Sequence, residues 1–148
     1  MSDIASSLGS TLATNAISVD FNRGEGITNG GRDMAPIEIA GIEPRRYWNH
    51  GRFSNNALGA AGNPPVIDSK GNVLAGVEIA WNTGTSGSTN NANAGGTTPN
   101  ERMMHDYAAR NPEGDDLEVI VTGLPWEFTA LGYDLILYQD SIATKSGQ

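Results

Sequence analysis

The chain contains no cysteine and only two lysines. Without thiols it forms no disulfide, no thiolate zinc site and no cysteine nucleophile. Basic residues are outnumbered, nine against 17 acidic ones, giving a formal net charge of −8. Such a surface repels phosphate backbones, so the composition argues against nucleic acid as a partner. It argues equally against an anionic membrane surface, since no basic cluster offsets the repulsion. No stretch approaches the roughly 20 apolar residues of a membrane-spanning helix, so no membrane insertion is expected. The start, MSDIASSLGSTLATNAI, has neither a basic beginning nor a continuous apolar run, and no signal peptide is visible.

What is abundant is glycine, at 19 residues, together with Asn, Thr and Ser. Helix-rich cytosolic enzymes carry more Lys, Glu and Leu, so the expectation is an extracellular protein seen as a mature or excised piece. A length of 148 residues suffices for one domain with a core of its own. The expected organisation is an N-terminal arm or tail over 1–16 and a single β-sandwich domain over 17–148.

The strongest pattern lies in LEVIVTGLPWEFTALGYDLILYQD, residues 117–140. Leu117, Val119 and Val121 alternate with Glu118, Ile120 and Thr122, the period of a strand. Gly123 and Pro125 break that run. Tyr133, Leu135 and Leu137 then alternate with Asp134, Ile136 and Tyr138, which predicts a second strand. Both strands are apolar on both sides near their centres, so both faces are expected to be covered.

Upstream, Ile17, Val19 and Phe21 alternate with Ser18, Asp20 and Asn22, another strand. Pro36 and Pro44 limit residues 34–49 to an edge strand or an extended crossing. A short strand is expected over 65–68, and Ser69-Lys70-Gly71-Asn72 is turn chemistry. Val73, Ala75, Val77, Ile79 and Trp81 line one face of a further strand. Residues 82–100 are low in complexity and longer than an ordinary structureless loop, so they read as a mobile insertion in preference to a binding loop. Residues 101–110 form the one good helix candidate, with Thr98 or Asn100 as its cap and Pro112 beyond its end. Together these elements predict an all-β fold, an antiparallel β-sandwich of jelly-roll type with one short helix.

Catalytic chemistry finds little footing. His50 and His105 are the only histidines, and no HExxH pairs them. No GxSxG is present, and the GEG at 24–26 lacks the strand and helix of a nucleotide-binding loop. A glycosidase needs two carboxylates across a cleft; Glu78, Glu127, Asp134 and Asp140 are available, but no spacing singles out a pair. No cofactor is expected. A structural calcium has candidate ligands in Asp20, Asp115, Asp116 and Asp140, which spacing alone does not place.

Aromatic residues say more. Tyr47, Trp48 and Asn49 follow the pair Arg45-Arg46 in an irregular segment, and Trp126 sits between the last two predicted strands. Exposed Trp and Tyr rings beside polar side chains are how proteins bind sugars, the ring stacking on C–H faces while polar groups take the hydroxyls. Trp81 reads instead as core, and Trp48 fits either role. The expected ligand-binding residues are therefore Tyr47, Trp48, Asn49 and Trp126, with no catalytic and no metal site.

Five segments, ISVDFN (17–22), MAPIEIAGIEPRRYWNHG (34–51), VEIAWNTG (77–84), RMMHDY (102–107) and VTGLPWEFTALGYDLILYQD (121–140), occur in an order that resembles extracellular β-sandwich modules of large secreted bacterial proteins. The resemblance implies a non-catalytic carbohydrate-binding or adhesion unit, with a polysaccharide or cell-surface glycan as partner. It carries over no site residues. Such modules continue with further strands where this sequence has only eight residues after Asp140. An uncovered edge would then have to be closed by another chain. The alternative expectation is accordingly a self-assembling structural subunit of an extracellular filament or surface layer, a homo-oligomer or fibre in which strand exchange, with 2–16 as donor, closes the sandwich. A glycan-active enzyme using Glu78 or Asp134 ranks third.

Overall fold

Burial that alternates along the backbone marks a strand with one face on a core, and residues 78–82 show it best. The computed structural model describes residues 15–22, 33–52, 56–82, 85–88, 98–104, 106–109 and 117–138. Its elements in chain order are β1 (Val19–Asn22), β2 (Asn49–Arg52), β3 (Ala57–Leu58), β4 (Glu78–Asn82), β5 (Thr85–Ser88), α1 (Pro99–Met103), β6 (Asp106–Ala109), β7 (Glu118–Thr122) and α2 (Trp126–Thr129). The chain is β-rich, with two short helices among the described residues. Its strands form a three-stranded sheet in the order β3-β4-β7 and two separate ladders, β1-β2 and β5-β6. Among the described residues these sheets do not close on one another.

The centre strand of the larger sheet, β4, buries Ile79 and Trp81 and turns Glu78 and Ala80 the other way. Leu58, Val66, Val77, Ile79 and Trp81 form the main core cluster, flanked by Ile17, Val19, Phe21, Leu74 and Leu124. Phe21 meets Trp81 edge to face at 5.3 Å, a favoured aromatic geometry. Two glycines permit close backbone approach at the end of this core. A Cβ on Gly59 would collide with the Val77 carbonyl, and one on Gly123 with that of Gly76. A second cluster holds Met34, Ala40, Trp48 and Met103, with Met104 and Tyr138 against it.

Several expectations are corrected. The pair β1-β2 is parallel, Val19 opposite Asn49 through Asn22 opposite Arg52; the long crossing between them permits what a tight hairpin cannot. Residues 73–77 are not strand: a turn at Ala75-Gly76 interrupts the run, and Val73 instead bridges to Ile67 across the 68–72 turn. The helix begins at Pro99 and ends after Met103, because residues 106–109 pair as β6 with β5. Backbone pairing across chain segments overrides local helix propensity there. The pairing also places a strand, Thr85–Ser88, inside the expected mobile insertion 82–100; residues 89–97 lie outside the described ones.

The largest departure is at the end. Residues 133–138 belong to no strand, and their side chains are exposed except for half-buried Tyr138. Alternation confers the propensity for a strand, but a ladder partner makes one. Gly123 (φ 69°), α2 and Gly132 (φ 81°) lie between β7 and residues 133–138, which pair with no described strand. Strand β7 itself is present, yet every one of its five residues is exposed, so the expected cover on both faces is absent from the described residues.

Candidate functional site

Tyr47, Trp48 and Asn49 adjoin in sequence but face three different surroundings. Tyr47 holds a left-handed backbone (φ 56°), and its ring lies over the Gly71 turn. Trp48 is only 7 % exposed. Its indole N–H donates to the Arg45 carbonyl at 3.1 Å, and its ring meets Tyr138 at 6.2 Å. Buried and partnered in this way, Trp48 has the placement of a core residue and presents no open face to a sugar. Asn49 is also buried. Its amide donates to the carbonyls of Ser18 (2.9 Å) and Ile67 (2.8 Å), while its carbonyl oxygen accepts from Ile67 N–H (2.8 Å). Asn49 thus ties β2 to β1 and to the 66–67 segment, and those bonds occupy the amide that would meet a ligand hydroxyl.

Trp126 stands apart from these three. Pro125, with φ −58°, enters α2, and Trp126 is its first residue, 76 % exposed. Tyr133, a few residues on, is 70 % exposed. These two rings are the open aromatic surfaces of the C-terminal stretch. Around them the exposure is aliphatic: of 14 exposed large apolar side chains among the described residues, ten fall within 117–137, including Val119, Ile120, Val121, Leu131 and Leu135. Monomeric proteins seldom expose apolar patches beyond a few hundred Å².

A polar cluster that sequence reasoning did not assemble lies along β1 and β2. The register puts Asp20 opposite His50 and Asn22 opposite Arg52. Asn22 Nδ2 donates to Asp33 Oδ1 at 3.0 Å and lies 3.1 Å from His50 Nδ1. His50 Nε2 is 3.2 Å from the Met34 carbonyl, so the neutral ring that donates there accepts from Asn22 at Nδ1. Arg52 binds Asp33 Oδ2 at 3.0 Å. Burial opposes a charged His50 ring, but the carboxylates of Asp20 (3.6 Å) and Asp33 (3.9 Å) outweigh it and raise its pKa above the ordinary value. The available sequence signal was polar Ser18, Asp20 and Asn22 in alternation; the structure turns these inward.

Chemically, this cluster is a compensated network in which carboxylates, guanidinium, imidazole and amide satisfy one another. No group of three or more His, Cys, Asp or Glu side chains among the described residues is arranged to hold a metal ion. Of the calcium candidates, Asp115, Asp116 and Asp140 lie outside the described residues. Glu78 sits on β4 opposite Thr122, and Asp134 in the exposed segment after α2. Compared with known proteins, the chain matches no protein-family model, no curated protein and no solved structure, so its function is argued from these residues alone.

Proposed function

We propose that this chain is a non-catalytic structural subunit of an extracellular assembly, joined to its neighbours through the apolar stretch 117–137. The sheet β3-β4-β7 is extended across that contact, where another chain pairs with the edge that β7 leaves unpaired among the described residues. One observation carries the reading: β7 is apolar at its centre, exposed on both faces, and last in its sheet among the described residues. A strand of that kind is a template for pairing with another chain. The acidic composition keeps the isolated subunit soluble until the contact forms. Light scattering on the full chain at micromolar concentration tests this. A mass above that of the 15.6 kDa chain is expected, and a monodisperse monomer at every concentration would refute it.

A second reading rests on a different observation, the open rings of Trp126 and Tyr133. They suit a non-catalytic module that binds a polysaccharide or cell-surface glycan by stacking. Of the three tryptophans, Trp48 and Trp81 are buried, so binding would quench Trp126 fluorescence selectively. Trp126→Ala should abolish that response while leaving the fold intact. Silence across a broad panel of soluble glycans disposes of this alternative.

A further inference from the structure

The backbone of β7 specifies how the edge it leaves unpaired among the described residues is used. Trp81 N–H donates to the Asn56 carbonyl at 3.0 Å, so the Trp81 backbone is turned toward β3. Alternation then turns Ala80 toward β7, where its partner is Ile120. Ile120 therefore directs its N–H and C=O at β4, and Val119 and Val121 direct theirs away from it. Glu118 agrees with this phase, its N–H donating to Asn82 Oδ1 at 2.7 Å on the β4 side. Val119 and Val121 thus present their N–H and C=O groups at the outer edge of the sheet.

From this we infer that β7 pairs with β7 of a second copy, antiparallel, about a two-fold axis at Ile120. The inference rests on the assembly reading above and names its partner and its register. With Ile120 opposite Ile120, Val119 falls opposite Val121 of the other copy, and these pairs exchange both N–H···O bonds with the groups already turned outward. The two Ile120 residues form the intervening close pair, where side chains approach best. Charge favours this register, because Glu118 meets Thr122 and no like charges stand opposite one another. The arrangement joins two sheets into one in the order β3-β4-β7-β7-β4-β3, a closed two-fold contact.

Sedimentation equilibrium on the full chain tests the pairing, with Ile120→Glu and Ile120→Lys as variants. Each places like charges opposite one another across the axis and should weaken self-association on the order of 100-fold. An equimolar mixture of the two should restore it, which also shows that both variants fold. Val121→Pro should weaken association as well, since it removes an outward N–H and leaves the β4 ladder its bonds. In the unmodified chain, hydrogen exchange at the Val119 and Val121 amides should slow as concentration rises. If the unmodified chain assembles, these amides stay unprotected and the variants assemble equally, the β7 pairing is overturned while the assembly reading stands. If deleting residues 1–14 disrupts assembly and the Ile120 variants do not, the N-terminal arm is the occupant and the pairing is overturned. A chain that never assembles sinks both.

Discussion

Asp68 shows how much one side chain organises when its partners are near in sequence. Its carboxylate accepts from Lys70 N–H (2.9 Å), Asn72 N–H (2.8 Å) and Asn72 Nδ2 (2.9 Å). Burial by itself would raise this carboxyl, but the Asn72 and Lys70 bonds and the Lys70 charge outweigh it and hold the pKa below the ordinary value. Its stabilisation is thus present above the unfolded pKa of about 3.9 and is lost as pH falls through the folded one. Asp68→Ala should cost about 1–3 kcal/mol in urea unfolding at pH 7, and the gap from the unmodified chain should narrow toward pH 2. His50 runs the opposite way. Its raised pKa stabilises the fold fully below about pH 6.5, an advantage lost as pH rises through the folded value. His50→Gln should flatten that decline above about pH 6.5, read as the urea midpoint against pH. The turn at 69–72 was legible in the sequence, and Asp68, expected at the end of a short strand over 65–68, organises it through partners two and four residues away. Asn49 was not, because its partners Ser18 and Ile67 are joined to it only by the fold.

At the scale of elements, starts were easier to read than ends. Helix α1 opens with a capping box in which Thr98 Oγ1 accepts from Glu101 N–H (3.2 Å) and Glu101 Oε2 accepts from Thr98 N–H (2.9 Å). That motif is local, and Thr98 was already a candidate cap. The helix is then held against the 35–45 turns by Asn100, which accepts from Gly41 N–H at 2.9 Å, and by the Arg102–Glu38 ion pair. Thr98→Ala should cost about 1 kcal/mol by thermal unfolding. So short a helix draws little stability from propensity, and packing of Met103 in the second core cluster dominates. Its end was not legible, because the pairing of β6 with β5 is a contact between distant residues. Residues 133–138 make the same point in reverse: their alternation is genuine, and the structure supplies no ladder for it.

For the whole molecule, the decisive quantity is the balance between an apolar contact surface and a net charge of −8. Two copies that approach one another carry the same charge, so long-range electrostatics oppose the proposed assembly while apolar burial drives it. The inferred β7 register itself sets Glu118 beside Thr122, with no ion pair to be weakened by salt. Added salt should therefore strengthen self-association, since the Debye length falls from about 30 Å at 0.01 M to about 3 Å at 1 M. An interface held by salt bridges would respond in the opposite sense. Stacking of Trp126 on a neutral glycan would change little over the same range, because it joins no two charged bodies. Sedimentation of the full chain between 0.01 and 0.5 M sodium chloride should show the monomer–dimer midpoint moving to lower protein concentration. Movement to higher concentration would assign the contact to charged side chains elsewhere on the surface and exclude the apolar C-terminal stretch as its main source.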